Sequence, residues 1–200
     1  MDVSIILVNY NTKELTQDCI QSVYKLTRDV AYDIFVIDNA SSDGSVRMIK
    51  EEFPYVKLIE SPENLGFGRA NNLAIKQSDA KYCFLLNTDT VLVNNAVKIL
   101  FDFMEKRENS DVGGCGGQLY NSDMTLQHSV GEFDTIEKLY KKALGINFTE
   151  LRYRYNNIFK TKIKKQNDDR VYGFATGHEP DFIIGADLML RKSVIDYQMV

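Results

Sequence analysis

The tripeptide Asn87-Thr88-Asp89 follows the apolar run Tyr82-Cys83-Phe84-Leu85-Leu86, so its carboxylate stands where a buried strand must end. An acid in that position can hold a hard divalent cation, Mg2+ or Mn2+, which takes oxygen ligands and shares them with phosphate. A diphosphate leaving group calls for that charge compensation as its bond breaks. The plainer alternative for Asp89 is a cap on the helix that follows. Asp38 ends a second apolar run, Ile34-Phe35-Val36-Ile37, where an acid can accept from a base N–H or a ribose hydroxyl. Its alternative is an Asx turn opening the loop Ser41-Ser42-Asp43-Gly44. In Asn64-Leu65-Gly66-Phe67-Gly68-Arg69 the glycines let backbone approach a ligand, and Arg69 can pair with phosphate. No GxGxxG follows the first strand and no GxxxxGK[ST] occurs, so neither a common dinucleotide site nor a P-loop is supported.

These residues need a scaffold that brings them together, and the apolar pattern supplies one. Val3 to Val8 is a strand-length apolar run; Thr12 then begins a helix with Leu15, Cys19, Val23 and Leu26 on one face. The second strand, Ile34 to Ile37, leads to a helix ending before Pro54, and Val56 to Ile59 is a third strand. The loop Ser61 to Gly68 opens another helix, Tyr82 to Leu86 is the fourth strand, and Asn94 to Arg107 is helical with Val97, Leu100, Phe101 and Met104 inward. Strand and helix alternate four times, which predicts an α/β fold with a mostly parallel sheet between helices. Ligands of such sheets bind beyond the carboxyl ends of the strands. Asn9-Tyr10-Asn11, Asp38-Asn39, Asn64 to Asn72 and Asn87 to Asp89 all fall at those ends, facing one crevice. Beyond them, the glycine-dense run Val112 to Gly117 flanks a hairpin through Asn121-Ser122-Asp123. Phe182 to Leu190 reads as one more strand, and the helix begun at Ser193 meets no stop signal before Val200, as if the sequence were cut.

Leu, Ile, Val and Phe make up 59 of the 200 residues, enough for one sizeable core and too many for a disordered chain. The length suits one domain with an appendage, and the expected division falls between residues 1–125 and residues 126–200. The N-terminus lacks the basic start of a signal peptide, and no apolar run is long enough to span a bilayer, which predicts a cytoplasmic protein. Cys19, Cys83 and Cys115 are odd in number and far apart, the pattern of reduced core thiols. Ten basic and three acidic residues lie between Lys138 and Arg170, a net +7, which leaves −11 on the remainder of a chain whose charge is −4. With Tyr140, Phe148, Tyr153, Tyr155 and Phe159 interleaved, this segment suits an anionic membrane surface or a phosphate-bearing ligand, and its part 147–170 has the poor periodicity of a mobile, solvated insertion. The acidic body makes nucleic acid the weakest partner.

Val8-Asn9-Tyr10-Asn11, Val36 to Ser45, Glu63 to Asn72 and Leu85-Leu86-Asn87-Thr88-Asp89 together resemble, in order and spacing, the successive motifs of the family 2 inverting glycosyltransferases. The likeness is greatest to the bacterial rhamnosyltransferase-like branch and runs from Asp2 to about Leu190. It implies a GT-A fold, a nucleotide-sugar donor, a divalent metal and inversion at the anomeric carbon. By position it implies that Asn9, Tyr10 and Asn11 line the base and ribose pocket with Asp38 on the base. Asn64, Gly66 and Asn72 would shape the nucleotide side, with Arg69 at phosphate. Asn87-Thr88-Asp89 stands where the family has its DxD motif, with Asn in place of the first Asp, which leaves Asp89 as the metal ligand. Phe182 to Asp187 resembles the acceptor-side strand, placing Gly185, Ala186 and Asp187 by the acceptor. The acidic pair that supplies the base in this family lies further along than Val200, and Asp187 is a poor stand-in.

The expected activity is transfer of a sugar, in bacterial surface polysaccharide synthesis, from a nucleotide-diphosphate sugar, dTDP- or UDP-linked by preference, to a saccharide or lipid-linked acceptor. The segment 138–170 would touch the inner face of the membrane. The alternative is a nucleotide-sugar binding module without turnover. A nucleotidyltransferase would need a glycine-rich, lysine-bearing loop after the first strand, and Asn9-Tyr10-Asn11-Thr12 is not one. His128 and His178 sit in loop-like contexts and are not candidates for the base.

Overall fold

A computed structural model describes residues 1–127, 129–131, 182–183 and 185–198. The chain divides into two compact units, one formed by Met1–Gly117 with Ile183–Val200, the other by Gln118–Phe182. In the first unit β1 (Val3–Asn9), α1 (Lys13–Leu26), β2 (Tyr32–Asn39), α2 (Ser45–Glu52), β3 (Lys57–Ser61), α3 (Gly66–Gln77), β4 (Tyr82–Leu86) and α4 (Ala96–Glu105) alternate as the sequence predicts. A short β5 (Gly114–Gly116) follows. In the second unit β6 (Leu119–Tyr120) and β7 (Leu126–Gln127) form the hairpin through Asn121 to Thr125, β8 (Val130–Gly131) follows, and β9 (Phe182–Ile183) straddles the return of the chain to the first unit. Then come β10 (Asp187–Arg191) and α5 (Lys192–Gln198).

The main sheet runs β3-β2-β1-β4-β10-β5. β3, β2, β1 and β4 are parallel, with Val3 opposite both Tyr32 and Tyr82, whereas β10 is antiparallel to β4 and to β5. Both faces of the sheet are covered, which is why the strands read as unbroken apolar runs rather than alternating ones. On one face Ile5, Leu7, Val36 and Phe84 pack with Cys19, Ile20 and Val23 of α1 and Leu100 and Met104 of α4. On the other, Ile6, Phe35 and Ile37 pack with Ala70, Ala74 and Ile75 of α3. The three cysteines are buried. Burial pushes the Cys19 and Cys115 thiols up to about 12, as inert core thiols require.

Two sequence expectations change. The apolar stretch from Phe182 to Leu190 is two strands rather than one, broken by a turn at Gly185-Ala186. β10 begins only at Asp187, because there the chain must reverse against β4. Thr12 precedes α1 without capping it by a side-chain hydrogen bond; its hydroxyl is drawn instead to Asn9. Arg191 braces the inserted strand: its guanidinium donates to the Val112, Met104 and Asn109 carbonyls and to the Tyr82 hydroxyl. Among the described residues no helix is long and apolar enough to cross a membrane. The basic segment 138–170, His128 and His178 lie outside the described residues.

Candidate functional site

Four parallel strands end together, and the loops that leave them are tied by side chains. Asn9, the last residue of β1, is 0% exposed, and its amide is fully engaged. Nδ2 donates to Asp38 Oδ1 at 2.6 Å and to Ser41 Oγ at 3.0 Å, while Oδ1 accepts from the Thr12 and Thr16 hydroxyls, each at 2.8 Å. That exhausts the principal hydrogen-bonding capacity of an asparagine side chain. Asn9, expected to line a base pocket, therefore has its side chain turned inward, where it ties the loop after β1 to the loop after β2. Asp38, 2% exposed, accepts from Asn9 on one oxygen and from the Ser41 N–H, at 2.9 Å, on the other. The turn-forming alternative for Asp38 is thus present in the geometry. Each of its oxygens keeps a second lone pair.

This knot holds two backbone residues in the left-handed region, Asn11 at φ 54° and Ala40 at φ 62°. Ser41, which no sequence motif singled out, joins the loops by accepting the Asn11 N–H at 2.9 Å, and Asn11 Oδ1 accepts the Ser42 N–H at 2.8 Å. Tyr10, half exposed, and Asn11 are the residues of this loop that face outward. Thr88 is buried, its hydroxyl 3.2 Å from that of Thr12, so the end of β4 is pinned to the same knot.

Asp89 differs from these residues. It is exposed, and among the described residues it has no hydrogen bond or ion pair. α4 starts only at Ala96 with Asn95 ahead of it, so the capping alternative for Asp89 is overturned. Its charge reaches the interior, where it adds to the burial that raises the Cys19 thiol. Asn87 is partly exposed, and its N–H donates to the Ala186 carbonyl at 2.9 Å. An exposed, unshared carboxylate oxygen pair with an amide oxygen two residues away is a donor set that suits a hard divalent cation. The described residues hold no cluster of three or more acidic, histidine or cysteine ligands, so phosphate oxygens and water must complete any coordination.

On the other side of the crevice, Asn64 accepts the Gly66 N–H at 2.8 Å and shapes the turn into α3. Gly66 has φ 73°, which requires glycine, and Gly66 and Gly68 leave open space where a side chain would stand. Arg69 is exposed, with Nε donating to the Leu65 carbonyl at 3.0 Å, and Asn72 is exposed on the same helix. Phe67 reaches over to Gly185, its ring 3.9 Å from where a Cβ would lie, so α3 and the turn before β10 are neighbours. Asp187 follows that turn: its Oδ2 accepts the Gly117 N–H at 2.8 Å, its Oδ1 is buried without a partner, and burial pushes its carboxyl up to about 7.

The sequence matches the profile of Glycosyl transferase family 2 over residues 4–179. It is 30% identical over 172 residues to the poly(ribitol-phosphate) beta-N-acetylglucosaminyltransferase TarP of Staphylococcus aureus (strain N315), which covers 81% of this chain and 51% of that protein. Among solved structures, the fold is similar to Staphylococcus aureus TarS 1-349 in complex with UDP-GlcNAc, with a TM-score of 0.54 at 18% identity over 66% of this chain and 39% of that one. It is similar as well to the mannosyltransferase PcManGT of Pyrobaculum calidifontis in complex with GDP-Man and Mn2+, with a TM-score of 0.52 at 21% identity over 60% and 35% of the two chains. The chain spans between 18% and 51% of the length of the first four curated relatives it matches. The mostly parallel sheet flanked by helices matches the GT-A fold of those solved structures, and the profile covers the loops that leave β1, β2, β3 and β4. The chain belongs to glycosyl transferase family 2.

Proposed function

We propose that this chain binds the nucleotide-sugar donor of an inverting, metal-dependent glycosyltransferase of bacterial surface polysaccharide synthesis. The observation that carries this is Asp89, a lone exposed carboxylate held at the end of β4 by a buried hydrogen-bonded knot. Tyr10 and Asn11 take the base and ribose side with Asp38 behind them; Asn64, Gly66 and Asn72 shape the opposite wall; Arg69 faces phosphate. Asp89 holds Mg2+ or Mn2+ with the Asn87 amide oxygen and Thr88 beside it. When bound, the cation compensates the charge that develops on the diphosphate. The UDP-GlcNAc and GDP-Man of the two solved neighbours support a nucleotide sugar as donor class, and within it a UDP- or dTDP-linked hexose or deoxyhexose is the proposed substrate. A saccharide or lipid-linked acceptor enters by Gly185, Ala186 and Asp187, and the protein works at the cytoplasmic face of the membrane.

Calorimetry with UDP, dTDP and GDP, with and without Mn2+, tests this reading. One nucleotide should bind in a Mn2+-dependent way and lose that dependence in Asp89→Ala; no binding by any of the three removes the function. Asn87, where the family pattern has an acid, favours a second reading, donor binding without turnover. Nucleotide release from the sugar nucleotide in the presence of acceptor separates the two.

A further inference from the structure

Asp187 is the described carboxyl that the fold buries most expensively relative to its use so far. It is 7% exposed, and one of its oxygens is closed off from water with no hydrogen-bond partner. A buried polar atom left unpaired costs free energy, and its retention calls for a reason. The two residues fit closely: a Cβ on Gly117 would lie 2.6 Å from Asp187 Oδ2, so a larger residue there would displace the carboxylate from this seat. Gly117 is also the last residue of the first unit before the chain passes into the second. On its other side Asp187 stands opposite Leu86, and the preceding Ala186 carbonyl takes the Asn87 N–H. One carboxyl thus joins the exit of the glycine run to the turn that carries Asp89.

We propose that Asp187 is a positioning residue of this site: by accepting the Gly117 N–H it fixes the head of β10 and, through Ala186, the Asn87-Thr88-Asp89 turn, and this hold weakens when the carboxylate takes up a proton. The unpartnered Oδ1 is the oxygen that takes the proton, since Oδ2 is already accepting. A hydrogen bond to an ionised acceptor is about twice as strong as one to a neutral acceptor. Among the described residues, the groups facing Asp187 leave the transition to it. Leu86 across β4 is apolar, and Cys115 of β5, whose thiol its charge helps to raise, stays protonated throughout. Arg191 of β10 itself is engaged with Tyr82 and three carbonyls. Burial places the Asp187 carboxyl at about 7, inside the working range of an enzyme.

The role rests on the donor-site reading, and nuclear magnetic resonance of the full 200-residue chain separates the two. The Gly117 amide proton should move upfield as pH falls, with a midpoint near 7, and stay still in Asp187→Asn, which keeps an acceptor but cannot titrate. Adding UDP, dTDP or GDP with the diamagnetic Mg2+ should raise that midpoint, because the bound complex is negative. Asp187→Ala should bind the nucleotide about tenfold more weakly, with Asn, a neutral acceptor like the protonated acid, restoring only part of the loss. A Gly117 amide that does not titrate in the unmodified chain, or a midpoint unmoved by bound nucleotide, overturns the positioning role while the donor site stands. If none of the three nucleotides shifts any amide, the donor-site reading falls and takes the positioning role with it.

Discussion

Asn9 spends its entire side chain inside the protein, and the loops at two strand ends depend on it. Replacement by alanine strands Asp38, Ser41, Thr12 and Thr16 together, and about 3 kcal/mol of stability is expected to be lost. Urea denaturation of Asn9→Ala beside the exposed Tyr10→Ala checks this, since the latter should cost little. That Asn9 sits at a strand end is legible in the sequence; that it points inward is not, because its partner Ser41 arrives from a loop 32 residues further along. Asp187 offers the opposite kind of test. Its carboxyl is held near 7 in the folded chain against an ordinary 3.8, so the folded state keeps a proton that the unfolded chain releases. The stability tied to that proton is whole below about pH 4 and is gone once pH passes about 7, a fall on the order of a few kcal/mol. Asp187→Asn should lack this slope; an equal decline in both proteins between those pH values would place its origin elsewhere.

At the level of elements, the four parallel strands and their helices follow from local pattern alone. Runs covered on both faces announce themselves as unbroken apolar stretches, and the helices carry stripes of apolar residues that meet them. The inserted strand was less legible. β10 owes its direction to contacts with β4 and β5, more than 70 residues away in sequence, and no periodicity within Phe182 to Leu190 marks the turn at Gly185-Ala186. Arg191 secures that strand with four hydrogen bonds to β4, α4 and the turn after it. Arg191→Met keeps the apolar stem of the side chain and removes the donors, and leaving the Tyr82 hydroxyl and three carbonyls without it should cost about 2–4 kcal/mol in thermal or denaturant unfolding. The start of α3 has a gentler dependence. Gly66→Ala imposes a left-handed backbone on a residue with a Cβ, a penalty of about 1–2 kcal/mol, with no clash to add because the space there is open.

Charge is distributed over the whole molecule in a way that no single element reveals. Residues Lys138 to Arg170 carry +7 and the remainder −11, so the charge is strongly segregated along the sequence. Near an anionic bilayer each basic residue contributes about 1 kcal/mol, falling off within a Debye length of about 8 Å at physiological salt. The acidic remainder is repelled by the same surface, so attraction requires the basic segment to face it. Such a segment suits the lipid-linked acceptor proposed above, and a membrane contact made by charge alone would be reversible. The expected result is sedimentation of the chain with vesicles rich in anionic lipid, weakening steeply as salt rises and lost on neutral phosphatidylcholine vesicles. Substituting Lys160, Lys162, Lys164 and Lys165 by glutamine removes four of the ten cations without touching any residue of the crevice. Vesicle binding should then fall at least tenfold while Mn2+-dependent nucleotide binding stays as it was. Vesicle binding that survives the four substitutions would assign the basic segment a role other than membrane contact, and a parallel loss of nucleotide binding would place it at the donor site.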